Sequence, residues 1–428
     1  CCNDVIATEA TFNYLSADWL ARQILADLAG MSVNDTTNTL TTEIIFGKCR
    51  KPQDQFNYRN LAEPVHDLDE DVFKFLKRSC PEMMAAPHGK ANSLLPYFEG
   101  YTFDNGKSMY MGEEVGEGGY VHAEPGMHVY AAVLDVVSMH PHSAIAEVLF
   151  GVEFTTRFQE IVEGRVSIKH KAWDEVNRML DGKLTKYIQK VIDGELTAKD
   201  LANALKTAIN SVYGLTSAKF DNKFRDPRNK DNIVAKRGAL FMITLQYAVQ
   251  ERGFSAIHIK TDSIKIPNAT PEIIDFVMNF GKRYGYTFEH EATYDRICLV
   301  NDAVYIARYA TKEKCQELYG YIPDDNAKHP GQWTATGAQF AQPYVFKTLF
   351  SHEPIAFEDL FETKTVTSAL YLDMNETLPA GEHDYHFIGK AGAFCPIMEG
   401  RGGGVLCREK EGKYSAATGT KGYKWLEA

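Results

Sequence analysis

The stretch of residues 256–267, AIHIKTDSIKIP, constrains the fold more than any other part of the sequence. Isoleucines alternate with polar residues on both sides of the pair Thr261-Asp262. Period-two alternation is typical of strands with one buried face, and two such runs joined by two residues predict a β-hairpin. The pair Thr-Asp is not among the glycine-rich pairs that hairpin turns favour. We therefore expect the carboxylate at this tip to have a function of its own.

The composition is that of a soluble globular protein. Of the 428 residues, 44% are hydrophobic and 24% charged, which is ordinary for such proteins, and a chain of this length is expected to form two or more subdomains. No apolar run is long enough to predict a membrane span. The eight cysteines lack zinc-finger spacing, which favours reduced thiols and a cytoplasmic location.

The charge is distributed unevenly along the chain. A net charge of −11 argues against a protein that coats nucleic acid non-specifically. Residues 206–237, however, contain eight Lys or Arg against three Asp. A solvated loop can carry such a surplus, but a surface that meets phosphates is the favoured interpretation.

The order of the predicted elements indicates the α+β class. We expect a helix over residues 5–29 and a mixed, turn-rich region up to residue 126, followed by a buried strand, HVYAAVLDVV, with Pro141 in the first turn of the next helix. Residues 154–214 are strongly helical in pattern, with breaks near Gly182 and Gly194. Another helix precedes the hairpin, a second strand is expected over residues 297–309, and the chain beyond Thr311 is loop-rich in composition.

Two carboxylates stand where a sheet can present them together. Asp135 ends the predicted strand, and Asp262 lies at the hairpin tip. Magnesium is typically bound by a few carboxylates plus substrate phosphates, and two such ions can support an in-line phosphoryl transfer. Taken alone, an Asp at a strand end is more often a cap or a turn residue.

The helix predicted between these acids, TAKDLANALKTAINSVYG, has two distinct faces. Thr197 is its expected N-cap. Lys206, Asn210 and Tyr213 share one face at i, i+4, i+7 spacing, and a lysine, an amide and a ring suit a nucleotide. A solvated helix face is the alternative. The other face is apolar, with Leu201, Leu205, Ala208, Ile209 and Val212.

Together these segments resemble the motifs of a known family. DVVSMHP, KTAINSVYG and KTDS resemble motifs A, B and C of family B DNA polymerases, in that order, and GEGGYV at residues 116–121 resembles the family's Gly-Gly element. The resemblance covers most of the chain and is strongest to bacteriophage members. It implies a right-hand polymerase with palm, fingers and thumb, which adds dNTPs to a primer 3′ end on a DNA template during phage genome replication.

The resemblance also implies a role for individual residues. Asp135, Asp262 and the Val136 carbonyl would hold two Mg²⁺ ions, for which Mn²⁺ is a substitute. Arg165 is preferred over Arg157 as a further phosphate-binding residue. The nucleotide-binding residues would be Ser138, His140, Arg165, Lys206, Asn210, Tyr213 and Gly214. The DNA-binding residues would be Gly118, Gly119, Tyr120 and Tyr305.

The implied subdomains follow the motif order. They are an N-terminal segment (1–100), a first palm part (101–150), fingers (151–214), a second palm part (215–310) and a thumb with the C-terminal segment (311–428). The start, CCNDVIATEATF, resembles the end of a 3′–5′ exonuclease domain with Asp4 as its last acid. We expect the other exonuclease carboxylates in an upstream or separate part, and no removal of a mismatched 3′ terminus by this chain alone. A start at Cys1 is compatible with a split gene, protein splicing or a cloning boundary.

The sequence departs from the family pattern in three motifs. Lys260 stands where motif C usually has an acid, and His140 stands where motif A usually has a tyrosine that excludes the ribose 2′-hydroxyl. Asn301 and Asp302 stand where the primer-terminus motif normally carries lysine.

Two other functions stay open as alternatives. A degenerate polymerase that only binds primer-template as a scaffold would tolerate loss of Lys206, Asn210 or either Asp, yet all four are present. A palm-fold nucleotidyl cyclase shares the paired carboxylates but does not need the helical insertion that carries Lys206 or the long C-terminal segment.

Overall fold

The computed structural model describes residues 5–6, 8–10, 12, 16–85, 87–116, 118–336, 354, 356, 362–375, 377–379, 381–394 and 405–416. The chain divides into two compact units, the first comprising Cys1–Asp302 and Ala307–Trp333, and the second Ala303–Ile306 and Thr334–Ala428. The chain combines helices with antiparallel strand pairs, which fits the α+β class.

The helices are α1 (Ser16–Ala29), α2 (Thr37–Phe46), α3 (Glu70–Ser79), α4 (Pro81–Met84), α5 (Met139–Ala146), α6 (Gly151–Lys169), α7 (Trp173–Val176), α8 (Thr185–Ile192), α9 (Ala198–Ser217), α10 (Ile233–Gln250), α11 (Pro271–Lys282), α12 (Lys312–Tyr319) and α13 (Asp324–Lys328). Short 3₁₀ turns lie at Pro52–Gln55 and Leu180–Gly182. The predicted helical region before residue 214 is confirmed, including its breaks near Gly182 and Gly194. Pro141 lies in the first turn of α5, as expected.

The strands are β1 (Thr102–Asp104), β2 (Lys107–Tyr110), β3 (Glu113–Glu114), β4 (Val121–Ala123), β5 (Gly126–Val136), β6 (His258–Lys260), β7 (Ser263–Ile266), β8 (Phe288–Asn301), β9 (Val304–Tyr309), β10 (Trp333–Thr336), β11 (Glu362–Asp373), β12 (Tyr385–Phe394), β13 (Val405–Lys410) and β14 (Lys413–Ala416). β1, β2 and β3 form a small antiparallel sheet.

The central sheet of the first unit has the order β8-β5-β7-β6-β4. The parts of β9 and β10 that belong to this unit continue it beyond β8. β5 lies between β8 and β7 and is antiparallel to both. Ala131, Ala132, Val133 and Leu134 are buried in succession, as expected for a strand covered on both faces. β6 and β7 form the predicted hairpin, in which Ile259 pairs with Ile264.

Helices cover this sheet and enclose the apolar core. α10 packs against α5, α11 packs against β8, and α9 packs against α6. A buried ionic group links these helices. Arg237 on α10 and Arg59 both donate to the carboxylate of Glu147, at 2.6 and 2.5 Å. Glu147 directly follows α5. A buried carboxylate needs such partners, so this group fixes the position of α5 relative to α10.

Two expectations about the later part of the chain are wrong. Residues 297–309 were expected to form one strand, but Asp302 and Ala303 turn the chain and separate β8 from β9, since Asn and Asp favour turns. The region beyond Thr311 was expected to be loop-rich, but it contains α12, α13 and, in the second unit, an antiparallel sheet of order β12-β11-β13-β14.

Candidate active site

The two predicted carboxylates lie beside each other on the central sheet. Asp135, the next-to-last residue of β5, pairs with Ser263, the first residue of β7. Asp262 immediately precedes Ser263, and its carbonyl accepts a hydrogen bond of 2.9 Å from the amide of Val136. The end of β5 and the hairpin tip are therefore joined by backbone bonds, which fixes the relative position of the two acids.

A strained turn holds Asp262 at the tip. Thr261 has a positive φ of 56°, which is unfavourable for a β-branched residue. The amide of Thr261 donates to the carbonyl of Tyr120 at 3.0 Å. A Cβ on Gly119, whose φ is +147°, would approach the Thr261 side chain to 3.1 Å. The Gly-Gly element therefore supports the turn that carries Asp262, and glycine is required there for close approach.

The residues of the Gly-Gly element differ in their exposure to solvent. Gly118 is exposed, and among the described residues no atom lies within 4 Å of a Cβ placed on it. Tyr120 is buried, and its hydroxyl donates to Gln246 at 2.9 Å. We therefore expect a DNA contact of this element from the backbone of Gly118 and Gly119, whereas the Tyr120 ring belongs to the core.

The carboxylates lie in an electrostatic environment that favours a cation. Burial, the neighbouring Asp262 and, after it, Glu291 and Glu289 raise the pKa of Asp135 to about 7. Burial also raises the pKa of Asp262, while the nearby His140 acts in the opposite direction. Carboxylates that are hard to ionise together are a suitable donor set for a divalent ion.

The fit to Mg²⁺ rests on few protein ligands. Within the part of the chain that the structure describes, no three His, Cys, Asp or Glu side chains form a group that could hold a metal ion. Asp135 and Asp262, together with the carbonyl of the adjacent Val136, offer an open set of oxygen ligands. Such a set suits Mg²⁺ that completes its coordination with water and substrate phosphate.

His140 connects the carboxylates to the helix α9, which carries Lys206 and Asn210. Its ring lies in α5 and stacks on the ring of Tyr213, with centroids 4.2 Å apart and planes inclined by 27°. Burial lowers the pKa of His140, with Asp262 acting against this shift, so the ring is neutral near pH 7. Residues from the three motif-like segments therefore meet at one place, namely Asp262, His140 and Tyr213.

Ser138 shapes the start of the same helix. It lies at the N-cap position of α5 with a left-handed backbone, φ 53° and ψ 57°. Its carbonyl accepts a hydrogen bond of 3.0 Å from Nδ1 of His142. The side chain of Ser138 is half-buried and lies three residues from Asp135, so its position is compatible with the role expected of it.

The helix α9 presents the predicted polar face to the outside. Thr197 caps it through a capping box with Asp200, which confirms the expected N-cap. Lys206, Asn210 and Gly214 are exposed, and Tyr213 is half-buried. The predicted apolar face is buried throughout: Leu201, Leu205, Ala208, Ile209 and Val212.

The structure distinguishes the two arginines that were considered for phosphate binding. Arg157 donates to the carbonyl of Ile45 at 3.1 Å and to Glu153 at 2.9 Å, so its guanidinium group already has hydrogen-bond partners within the protein. Arg165 is half-buried. A Cβ on the preceding Gly164 would lie 3.4 Å from Leu205. Arg165 on α6 and Lys206 on α9 therefore each follow a residue at the contact between these two packed helices.

Two further predicted residues lie elsewhere. Tyr305 is half-buried in β9 and belongs to the second unit, and its expected contact with the primer stays a prediction. Asp4, expected to be the last exonuclease acid, lies outside the described residues.

Four charged or titratable residues on the carboxylate face were not found by sequence reasoning: His258, Lys265, Glu289 and Glu291. Glu289 pairs with Asp135 across β5 and β8. Lys265 is buried with 4% of its surface exposed. Its alternation with Ile264 and Ile266 indicated a solvent-facing position, because a period of two gives the side of the sheet but not what covers that side.

No protein-family model matches the sequence, and no curated protein matches it. Among solved structures, the chain is similar to the family B DNA polymerase from the hyperthermophilic archaeon Pyrobaculum calidifontis, with a TM-score of 0.42 and 13% sequence identity over 97% of this chain. The match covers 52% of that polymerase chain, so this chain spans about half its length. Among the described residues, no helix has both the length and the apolar character needed to cross a bilayer.

Proposed function

We propose that this chain is a DNA-directed DNA polymerase that adds dNTPs to a primer 3′ end by two-metal phosphoryl transfer. The observation that carries the proposal is the meeting of the three motif-like segments. Asp135 and Asp262 are adjacent on the sheet, and His140 joins them to Tyr213. Tyr213 lies on the same helix as the exposed Lys206 and Asn210.

Each residue has a chemical role in this reaction. Lys206 and Arg165 are cations suited to the triphosphate, Asn210 offers an amide beside them, and Ser138 lies near the phosphates. Tyr213 and the bare backbone of Gly214 form the surface for the nascent base pair, and His140 lies beneath the incoming sugar. Mg²⁺ held by Asp135, Asp262 and the Val136 carbonyl, or Mn²⁺ in its place, would activate the primer hydroxyl and neutralise charge on the phosphate.

We assign the elements to the palm, fingers and thumb of a right-hand polymerase from the order of the motif-like segments. The central sheet with α5 and α10 would be the palm, and α6 to α9 would be the fingers. The region after residue 310 would be the thumb. Primer-template DNA is the expected partner, through Gly118, Gly119 and Tyr305, and phage genome replication is the expected setting.

The test is primer extension with Mg²⁺ by the chain and by Asp135→Asn and Asp262→Asn. Each substitution is expected to abolish extension while primer-template binding is retained, because an amide cannot replace a carboxylate as a metal ligand. Asp275→Asn, an exposed acid on α11, is the matched control and should extend normally. Retention of more than about a tenth of the rate in either active-site variant contradicts the assignment, since the expected loss is several kcal/mol of transition-state stabilisation.

The same assay separates the alternatives. A scaffold would bind primer-template without extending it, whatever the metal. A nucleotidyl cyclase would consume a nucleoside triphosphate without primer or template and would be insensitive to Lys206→Ala. The exposed polar face of α9 favours the polymerase over the cyclase, because paired carboxylates alone do not need it.

A further inference from the structure

Lys265 brings a buried cation to the face of the sheet that holds the two carboxylates. β7 pairs with β5 so that Lys265 is opposite Val133 and Ser263 is opposite Asp135. Side chains of paired residues lie on the same face, and residues two apart along a strand share it. Lys265 and Asp135 are therefore neighbours on one face, although only 4% of the lysine surface is exposed.

A chain of hydrogen bonds through His258 fixes the position of the Lys265 side chain. Lys265 is paired with His258 on β6, and its Nζ donates to Nδ1 of that ring at 3.0 Å. The opposite ring nitrogen, Nε2, donates to the carbonyl of Asp302 at 3.0 Å. Because the carbonyl can only accept, the proton is on Nε2 and the ring is a neutral acceptor for the lysine.

The positive charge of this pair therefore belongs to Lys265. Burial, with the adjacent Lys265 as the next cause, lowers the pKa of His258 to about 4. Burial also lowers the pKa of Lys265 to about 8, while Glu291 and Asp135 act to keep its proton in place. The interaction is mutual, since Lys265 counteracts the raised pKa of both Asp135 and Glu291.

We propose that Lys265 is a built-in counter-ion of the carboxylate face, which holds Asp135 and its acidic neighbours in place before a metal binds and weakens the binding of Mg²⁺. This positioning role rests on the proposed function, in which the same carboxylates bind Mg²⁺. Two like-charged carboxylates repel each other without a cation. A cation fixed by His258 offsets that repulsion, and the same charge repels an arriving divalent ion.

The charge explains the expected size of the effect. A unit charge within about 10 Å of a divalent ion, screened as in water, changes the affinity of that ion about fourfold, and more where the dielectric is lower. Lys260 lies on the same hairpin and is exposed, so solvent screens it and its contribution is expected to be smaller.

The experiment measures Mg²⁺ binding directly, on the full chain and with Mg²⁺ alone as the probe. Thermal unfolding is followed during a titration from EDTA to saturating Mg²⁺, for the wild type, Lys265→Met and Lys265→Gln. Both variants should bind Mg²⁺ at least about fourfold more tightly than the wild type. The glutamine variant keeps a donor for Nδ1 of His258, so agreement between the two assigns the effect to the charge and not to the hydrogen bond.

Lys236→Met is the matched control, because Lys236 is also buried and its Nζ donates to the carbonyls of Val115 and Gly116. Its loss should lower the melting temperature equally in EDTA and in Mg²⁺. Mg²⁺ affinity that is unchanged within a factor of about two, or weaker, in both Lys265 variants overturns the proposal. Primer extension is measured separately: a wild-type chain that binds Mg²⁺ but does not extend primers contradicts the proposed function and leaves the counter-ion result standing.

Discussion

Replacing Gly214 by alanine should make the protein more stable and less active. Gly214 lies inside α9, three residues before its end at Ser217. Glycine in a helix interior is about 1 kcal/mol less favourable than alanine. Among the described residues, no atom lies within 4 Å of a Cβ placed at this position, so the added methyl group meets no protein atom. Among the described residues the packing therefore gives no reason for glycine here, whereas the proposed contact with the nascent base pair would.

The gain in stability can be estimated from this geometry. The full difference in helix propensity is about 0.8–1.0 kcal/mol, and a position near the helix end realises part of it, so we expect about 0.5–1 kcal/mol. In a protein of this size that corresponds to a rise in melting temperature of only about 0.5–1 °C. Chemical denaturation, read at the midpoint, measures the same gain without heating.

The activity should change in the opposite direction. If the exposed backbone of Gly214 supports the nascent base pair, a methyl group there displaces the pair, and displacements of about 1 Å can cost up to a hundredfold in rate. We expect kcat/KM for correct dNTP insertion to fall at least about tenfold. Steady-state single-nucleotide insertion on a primer-template with Mg²⁺ is the assay.

Asn279→Ala is the control, since Asn279 is exposed on α11 and alanine is likewise the better helix former there. It should raise stability and leave insertion unchanged. A stabilised Gly214→Ala with full activity would show that no base pair rests on this glycine. A destabilised Gly214→Ala would show that the space above the helix is not open.

Three further predictions follow from the site. Lys206→Ala should raise KM for all four dNTPs alike and lower kcat, because the triphosphate is common to them; a defect limited to one base, or to DNA affinity, contradicts this role. His140→Tyr should increase and His140→Ala should decrease the preference for dATP over ATP in kcat/KM, by about 1–3 kcal/mol at most. In EDTA and below about pH 7 the folded protein keeps a proton on Asp135, because burial and, after it, the neighbouring Asp262 raise its pKa from 3.8 to about 7. The unfolding free energy should therefore decline as pH rises through this interval, and Asp135→Asn should flatten the decline in denaturant titrations at several pH values; identical slopes in the two proteins would refute the shift.

The sequence predicts the parts of the site that depend on local pattern. The hairpin at residues 258–266 follows from alternation, because each isoleucine must face the core. The two faces of α9 follow from a period of 3.6, and Thr197 is recognisable as its cap. These features need only the chain near them, and the structure has them where they were expected.

Features that depend on distant contacts were not predictable in the same way. The burial of Lys265 depends on the elements that pack over its face of the sheet. The role of Gly119 depends on its approach to Thr261, which is 142 residues later in the chain and is brought close by the pairing of β4 with β6. The ionic group of Glu147 with Arg59 and Arg237 likewise joins three separate segments. The sheet of β11 to β14 was missed because glycines interrupt or flank its segments, as Gly389 does in β12, and glycine weakens a strand pattern.

The stack of His140 on Tyr213 changes what the departure from the family pattern means. Read from the sequence, His140 is a smaller residue at the place of a tyrosine, which predicts a wider space beneath the sugar. In the structure the same ring packs on the residue expected to line the base pair, at 4.2 Å between centroids, and it interacts electrostatically with Asp262. Aromatic pairs of this kind hold each other in place. His140, proposed to lie beneath the sugar, and Tyr213, proposed to line the base pair, are therefore coupled. His140→Ala should then alter Tyr213 as well, so a loss of sugar selectivity is expected together with a loss of correct-base insertion, whereas an independent sugar gate would lose only the first.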